Sequence, residues 1–152
     1  MALDSVYGGI LQGAQRLIIA MALPGLAAAQ VRRRKKAIRL QSDTVLPLCL
    51  ICPSAERLTG ANMKGGKDFL GYPLYAVYIQ EGQFQYEHNL DWQLYVRELT
   101  RKALRVTTFQ ETAAVFDTIE YDPDPVFDLS SLEAGYDVSV QGFTYHAAED
   151  RN

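Results

Sequence analysis

Cys49 and Cys52 are the residues of this chain whose types and spacing most readily suggest chemistry. A Cys-x-x-Cys pair can carry out disulfide exchange or supply half of a zinc site. The residues between them are Leu and Ile, however, and the run 45–52 has the composition of a buried strand, on which positions 49 and 52 point to opposite faces. The sequence contains no second cysteine pair. We therefore interpret both cysteines as small buried hydrophobic residues, and we predict no metal site.

The segment Gly60–Lys67 invites comparison with a phosphate-binding loop. That motif needs Gly-Lys-Ser/Thr at the start of a helix, whereas here Asp68 follows the lysine and a strand comes next. Hydrolytic catalysis would need a nucleophile beside a base, and His88 and His146, the two histidines, stand in no such context. We predict a long exposed loop over residues 54–68, no enzymatic activity, no catalytic residues and no cofactor.

Carboxylates are concentrated in one short acidic segment, at Asp117, Glu120, Asp122, Asp124 and Asp128. Their spacing does not match a calcium loop, and Pro123 and Pro125 favour an extended backbone. An acidic edge that faces solvent or a neighbouring subunit is therefore favoured over a cation site.

The densest run of positive charge comprises Arg32, Arg33, Arg34, Lys35 and Lys36, with Arg39 close behind. Five consecutive cations cannot be buried, and a phosphate backbone is one obvious partner. No aromatic residue is interleaved with the run, so stacking on single-stranded bases is unsupported. A solvated turn, or a patch that meets the acidic half of a neighbouring copy, is favoured over DNA. We predict a nucleic-acid or subunit contact at these six residues.

Two amphipathic helices are predicted to position these residues within a single domain spanning residues 1–152. The first covers about 5–22, with Asp4 or Ser5 as its cap, and the second covers about 90–104. The buried stripe of the second helix is predicted at Trp92, Tyr95, Val96, Leu99 and Ala103. The longest apolar stretch, 17–29, is interrupted by proline and glycine and is too short to span a bilayer, so no membrane partner is expected.

Strands are predicted at 37–40, 45–52, 70–79, 113–121 and 136–146. The last alternates apolar with polar residues, which predicts one face in the core and one in water, as in an antiparallel sheet. The element order indicates an α+β fold: a small mixed or antiparallel sheet of about four to five strands, with the two helices packed on one face.

The net charge of −3 conceals an uneven distribution. Residues 1–76 contain ten Lys/Arg and four Asp/Glu, while residues 77–152 contain five and fourteen. Such an asymmetry concerns surfaces and partners rather than the fold. It fits a subunit that meets copies of itself, with one surface of each copy against a different surface of the next.

Three local patterns resemble the tail-terminator and neck proteins of long-tailed bacteriophages. The first is the apolar strand 48–57, which ends in Cys-Pro-Ser and Ala-Glu-Arg. The second is the strand 72–79, which leads through a polar loop to 90–97, and the third joins 115–128 to the closing strand at 136–139. Together they span most of the chain from 46 to 147. The run 32–36 is not part of this resemblance.

The resemblance implies a small α+β subunit that forms a ring, usually a hexamer, on top of the tail tube. Such a ring is a virion structural protein, assembled in the host cytoplasm, that stops tube growth and joins the tail to the head. Its partners would be copies of itself, the tail-tube protein and a neck or connector protein, with DNA passing through the bore without sequence readout. The alternatives are another neck component, such as a head-completion or stopper protein, or a small nucleic-acid- or protein-binding module that uses residues 32–36.

Overall fold

The computed structural model describes residues 5–38, 40, 43–62, 66–82, 87–126 and 135–150. In this part of the chain the regular elements are α1 (Val6–Ala20), a short 3-10 helix (Ala28–Gln30), β1 (Val31–Arg33), β2 (Leu48–Pro53), β3 (Arg57–Asn62), β4 (Lys67–Glu81), α2 (Glu87–Leu104), β5 (Thr118–Pro123) and β6 (Tyr136–Asp150).

The strands form one mixed sheet in the order β1-β2-β4-β6-β5, with β3 paired to the first part of β4. Strands β1 and β2 are parallel, and the other neighbours are antiparallel. Because β1 and β5 end this order, they form its two outer edges, and β3, which among the described strands pairs only with β4, leaves a further edge. The predicted α+β class, with both helices packed on one face, is confirmed. The sheet has six strands where the sequence suggested four to five.

The pairing of β4 with β6 forms the centre of the sheet, over fifteen residue pairs from Lys67–Asp150 to Glu81–Tyr136. Since alternate side chains of a strand point to opposite faces, each strand contributes to two clusters. The cluster under the helices takes its β4 residues from Tyr72, Leu74, Ala76 and Tyr78. The cluster on the other face, which we call the open face because neither helix packs there, centres on Leu48, Leu50, Cys52, Val77 and Ile79.

Helix α1 begins at a serine cap, as the sequence indicates. The Ser5 Oγ accepts a hydrogen bond of 2.9 Å from the Gly8 amide. The side chains buried against the sheet are those of Ile10, Ala14 and Ile18. A Cβ at Gly13 would lie 2.4 Å from the Phe109 ring, so the close approach of the helix requires glycine there.

Helix α2 buries only part of the stripe that its sequence predicts, with Trp92 and Leu99 partly buried against the core. The buried residues are Asn89, Gln93, Val96, Thr100 and Leu104. Of the predicted stripe, only Val96 is fully buried, and Tyr95 is half exposed. The helix is therefore turned so that amide side chains face the sheet, where they meet the polar side chains of β6.

The segment 54–68, predicted as a long exposed loop, contains strand β3. It pairs antiparallel with β4 from Arg57–Gly71 to Asn62–Lys67, with a bulge between Leu58 and Gly60. Strand β4 extends beyond the end of β2, and β3 supplies hydrogen-bond partners for that extension. Backbone pairing needs no apolar periodicity, and therefore the hydrophobic pattern of the sequence did not predict this strand. Residues 63–65 of the glycine-rich segment lie outside the described residues.

Two further strand predictions are displaced along the chain. The described residues of 37–40 are not a strand, and the first strand is instead Val31–Arg33, whose valine is buried beneath the helices. The strand predicted at 113–121 is Thr118–Pro123, preceded by an isolated bridge between Thr108 and Val115. Pro123 ends an edge strand, where its missing amide costs no ladder hydrogen bond.

Candidate subunit interface

The basic run lies at one edge of the sheet. Arg32 and Arg33 are in β1, and Lys35 and Lys36 follow in an exposed bend. Both arginines are exposed: the Arg33 Nε donates to Gln15 Oε1 at 2.9 Å on the helix side of the sheet, and the Arg32 Nε donates to the Ala29 carbonyl at 3.0 Å. Arg39, also predicted as a contact residue, lies outside the described residues. We call Arg32, Arg33, Lys35 and Lys36 the basic edge.

Arg34 is the exception to the expectation that the five consecutive cations all face water. Its side chain is 12% exposed and forms an ion pair with Asp43, which is almost fully buried. The hydrogen bond from Arg34 holds the pKa of the Asp43 carboxyl at about 2. Asp43 also accepts from the Leu40 amide at 2.7 Å, and Arg34 donates to the Ile38 carbonyl at 3.1 Å. The pair therefore fixes the backbone that follows the basic edge.

The acidic segment lies at the other edge. Glu120 and Asp122 are in β5, and Asp117 and Asp124 flank it; all four are exposed. The Asp117 amide donates to the His146 carbonyl and the Asp124 amide to the Val140 carbonyl, so the flanking backbone is also held against β6. Asp128 lies outside the described residues. We call Asp117, Glu120, Asp122 and Asp124 the acidic edge.

The two carboxylates within β5 point to the same face of the sheet. Ile119 and Tyr121 pack into the cluster under the helices, so Glu120 and Asp122 point to the open face. There Glu120 Oε1 lies 3.1 Å from His146 Nε2, outside hydrogen-bond geometry. On the helix side, a cleft of about 370 Å³ is lined by Arg101, Lys102, Arg105 and Ile119. The negative surface of this edge therefore faces the same way as the open face.

The two edges are too far apart to neutralise each other. Four interstrand intervals separate β1 from β5, and at about 4.8 Å each they amount to roughly 19 Å. Charges in physiological salt are largely screened beyond about 8 Å. Each edge therefore presents its charge to whatever approaches it from outside the molecule.

A buried polar network between α2 and the sheet is the feature that sequence reasoning missed. The alternating strand β6 predicted water on its polar face, but the structure places that face under α2 and leaves Tyr136, Val138 and Val140 only partly covered. The buried polar side chains of β6 are Asp137, Ser139 and Gln141. The signal that could have revealed this is the matching amide series on α2, at Asn89 and Gln93, one helical turn apart.

The network runs from side chain to side chain. Gln93 Nε2 donates to Gln80 Oε1 at 3.1 Å, Gln80 donates to Asn89, and Asn89 Nδ2 donates to Asp137 Oδ2 at 2.9 Å. Gly82 leaves room for the Asp137 carboxyl group, because a Cβ there would lie 2.3 Å from its Cγ. These bonds satisfy the amide nitrogens of Gln80, Asn89 and Gln93, which would otherwise be buried at a cost, and they fix α2 on β4 and β6, while Gln93 Oε1 accepts no hydrogen bond from the described residues.

Arg97 connects this network to the acidic edge. Its guanidinium donates to Ser139 Oγ at 2.5 Å and to the Asp124 carbonyl at 2.8 Å, while its own carbonyl accepts from Gln141. Burial lowers the pKa of Arg97, because desolvation disfavours the charged form. Through these bonds α2 positions the end of the acidic edge.

The remaining candidates for chemistry form no assembled site in the described part of the chain. Cys49 and Cys52 are buried free thiols on opposite faces of β2, as predicted, and burial raises the pKa of both. No group of three or more potential metal-ligating side chains comes together among the described residues. Within the same residues, neither helix is long and apolar enough to cross a membrane.

A cleft of about 560 Å³ opens at one end of the sheet. Its walls are formed by Thr44, Val45, Leu46, Pro47, Gln80, Glu81, Asn89 and Tyr136. The two amide side chains in it are bonded into the network under α2, so they serve the packing of the helix.

Comparison of the sequence with protein-family models and with curated proteins gives no match.

Proposed function

We propose that this protein is a structural subunit that assembles head to tail into a ring, and that the ring is the terminator at the top of a long bacteriophage tail. The observation that carries the proposal is the position of the basic edge and the acidic edge at opposite ends of one sheet. A closed ring needs one surface of each copy to meet a different surface of the next, and oppositely charged edges provide such a pair.

The edges favour contact through side chains over continued strand pairing. Strand β1 has only three residues, two of them arginine, and β5 ends at Pro123. Short strands, charges and proline are features that prevent open-ended addition of further strands at a sheet edge. Charge complementarity would instead orient the copies and accelerate their encounter, more than it raises affinity.

In this role the ring caps the tail tube, stops its growth and offers the head a docking surface. Its partners are copies of itself, the tail-tube protein and a neck or connector protein, and DNA passes through the bore without sequence readout. The proposal assigns no catalytic residue and no cofactor to the chain, and it places the protein in the virion.

Reversal of charge at each edge tests the head-to-tail contact. One variant carries Lys35→Glu and Lys36→Glu, and the other carries Glu120→Lys and Asp122→Lys. We expect each alone to be monomeric by native mass spectrometry, because like charges then meet at every contact. An equimolar mixture should recover rings in which the two variants alternate, since each altered edge now faces one of opposite charge.

The matched control reverses Asp91 and Glu98, two exposed carboxylates on α2, and should assemble like the wild type. Electron microscopy of rings, alone and with tail-tube protein, then tests the terminator role. A wild-type protein that stays monomeric at high concentration and low salt, with or without tube protein, contradicts the proposal. The proposal is also contradicted if the variant with Lys35→Glu and Lys36→Glu still assembles but no longer retains DNA. That result would identify a nucleic-acid-binding module.

A further inference from the structure

Three large aliphatic side chains are exposed beside the basic edge. Ile38, Leu40 and Val45 are 59%, 52% and 58% exposed, and they lie within eight residues of one another in the chain. We call these three residues, with Lys35 and Lys36, the aliphatic-basic surface. Single exposed aliphatic residues are common on proteins, but a group of them beside cations is typical of an interaction surface.

The structure holds this surface in place from beneath. The buried pair of Arg34 and Asp43 bonds the Ile38 carbonyl and the Leu40 amide, and the Asp43 amide donates to the Leu40 carbonyl at 2.9 Å. These contacts fix the backbone on which two of the aliphatic side chains face water. A surface fixed before binding loses less conformational entropy when a partner covers it.

The aliphatic-basic surface and the acidic edge have matching composition and orientation. Arg32 and Val45 line one cleft together with Leu48 of the open-face cluster, and Leu46 packs on that same cluster. Glu120 and Asp122 also point to the open face. Their neighbours at the acidic edge include the exposed Pro123, Pro125 and Val115, the last 65% exposed. One surface offers cations with aliphatic groups, and the other offers carboxylates with apolar groups.

We infer that the aliphatic-basic surface docks on the acidic edge of the next copy in the ring. Lys35 and Lys36 meet Glu120, Asp122 and Asp124, and the aliphatic side chains pack against the proline-containing end of that edge. This inference rests on the ring proposed above and identifies the contact that builds it. The lysines select the partner surface, and the apolar contacts slow dissociation.

Zero-length carbodiimide cross-linking tests the geometry of this contact. Equal amounts of nitrogen-15-labelled and unlabelled wild-type protein are assembled, cross-linked and digested, so that peptides joining two copies contain both isotopes. We expect mixed-isotope amide links from Lys35 or Lys36 to Glu120, Asp122 or Asp124. Rings whose mixed-isotope links omit these pairs overturn the docking inference and leave the ring proposal standing. A wild-type protein that remains monomeric contradicts both the docking inference and the ring proposal.

A pair of leucine variants tests the apolar part. Leu40→Ser removes an exposed leucine from the aliphatic-basic surface, and Leu94→Ser removes one of similar exposure, 48%, from α2. Both variants should keep the wild-type urea midpoint. We expect Leu40→Ser to raise the dissociation constant of the ring roughly tenfold, and Leu94→Ser to leave it unchanged. Equal affinities in the two variants overturn the inference. A second outcome would also overturn the inference. If the wild type stays monomeric and binds phosphatidylserine vesicles, and Leu40→Ser abolishes that binding, the partner of this surface is a membrane.

Discussion

Arg34 and Asp43 form an internal ion pair at the centre of an otherwise exposed charged run. Breaking a buried pair leaves a charge without compensation, which usually costs more than the pair contributes. The sequence predicts the run of cations but not which member is buried, because Asp43 is one of four carboxylates in the first half of the chain and no local pattern selects it. The choice depends on the tertiary fold, which places the Asp43 carboxylate against the Arg34 guanidinium.

At low pH this pair predicts a specific loss of stability. The folded-state pKa of Asp43 is about 2, below its ordinary value of 3.8, so its contribution is complete above about pH 4 and disappears as the pH falls toward 2. After allowance for solvent screening, that contribution is about 1–2 kcal/mol. Urea unfolding of wild type and Asp43→Asn should therefore differ at pH 7 and converge near pH 2.

The exposed substitution Asp91→Asn is the control, and it should follow the wild type within about 0.5 kcal/mol at both pH values. If Asp43→Asn unfolds at the wild-type urea midpoint at pH 7, the ion pair does not stabilise the protein.

Helix α2 and strand β6 mark the limit of prediction from pattern at the level of elements. Both exist where periodicity places them, and the element order predicts the fold class. The predicted orientation of β6 was wrong and that of α2 was only partly right, because the rule that polar faces meet water fails when two polar faces meet each other. Asn89 and Gln93 bury amide groups against Gln80 and Asp137, where the amide nitrogens of both residues donate hydrogen bonds. A pattern within one element cannot reveal complementarity between two elements. Strand β3 could not be predicted for the same reason: it forms because β4 is long enough to offer it hydrogen-bond partners, and nothing in the sequence of β3 alone indicates this.

Arg97 should be the side chain through which α2 stabilises the acidic edge. Lysine cannot reproduce the fork of N–H donors that reaches both Ser139 and Asp124, so we expect Arg97→Lys to lower the free energy of unfolding by about 1–3 kcal/mol. Hydrogen exchange should accelerate at the Asp124 amide, which donates to Val140. Arg101→Lys, one turn away on the same helix, is the matched control. Equal exchange in the two variants would show that Arg97 does not hold this edge.

At the scale of the whole molecule, the small net charge is the sum of two separated surfaces. The sequence indicates an imbalance between its halves, but only the strand order shows that the basic and acidic residues occupy opposite edges. That order could not be inferred from the chain, since β1 was predicted several residues too late and the pairing of β5 with β6 is not encoded in either strand alone. The strand order therefore turns a difference in charge between the two halves of the sequence into a difference in charge between the two edges of the sheet.

The proposed ring should consequently assemble more weakly as salt is added. An increase from about 0.1 M to about 1 M NaCl shortens the screening length from about 10 Å to about 3 Å, which removes the attraction that brings the two edges together. Because complementary charge acts mainly on encounter, we expect the association rate to fall more than the dissociation rate rises. Stopped-flow light scattering after dilution from dissociating conditions measures both rates. A variant with Lys35→Gln and Lys36→Gln should show a shallower dependence on salt than the wild type. Assembly that is equally fast at both salt concentrations would mean that hydrophobic contacts alone drive the ring, and that the separation of charge across the sheet serves another partner.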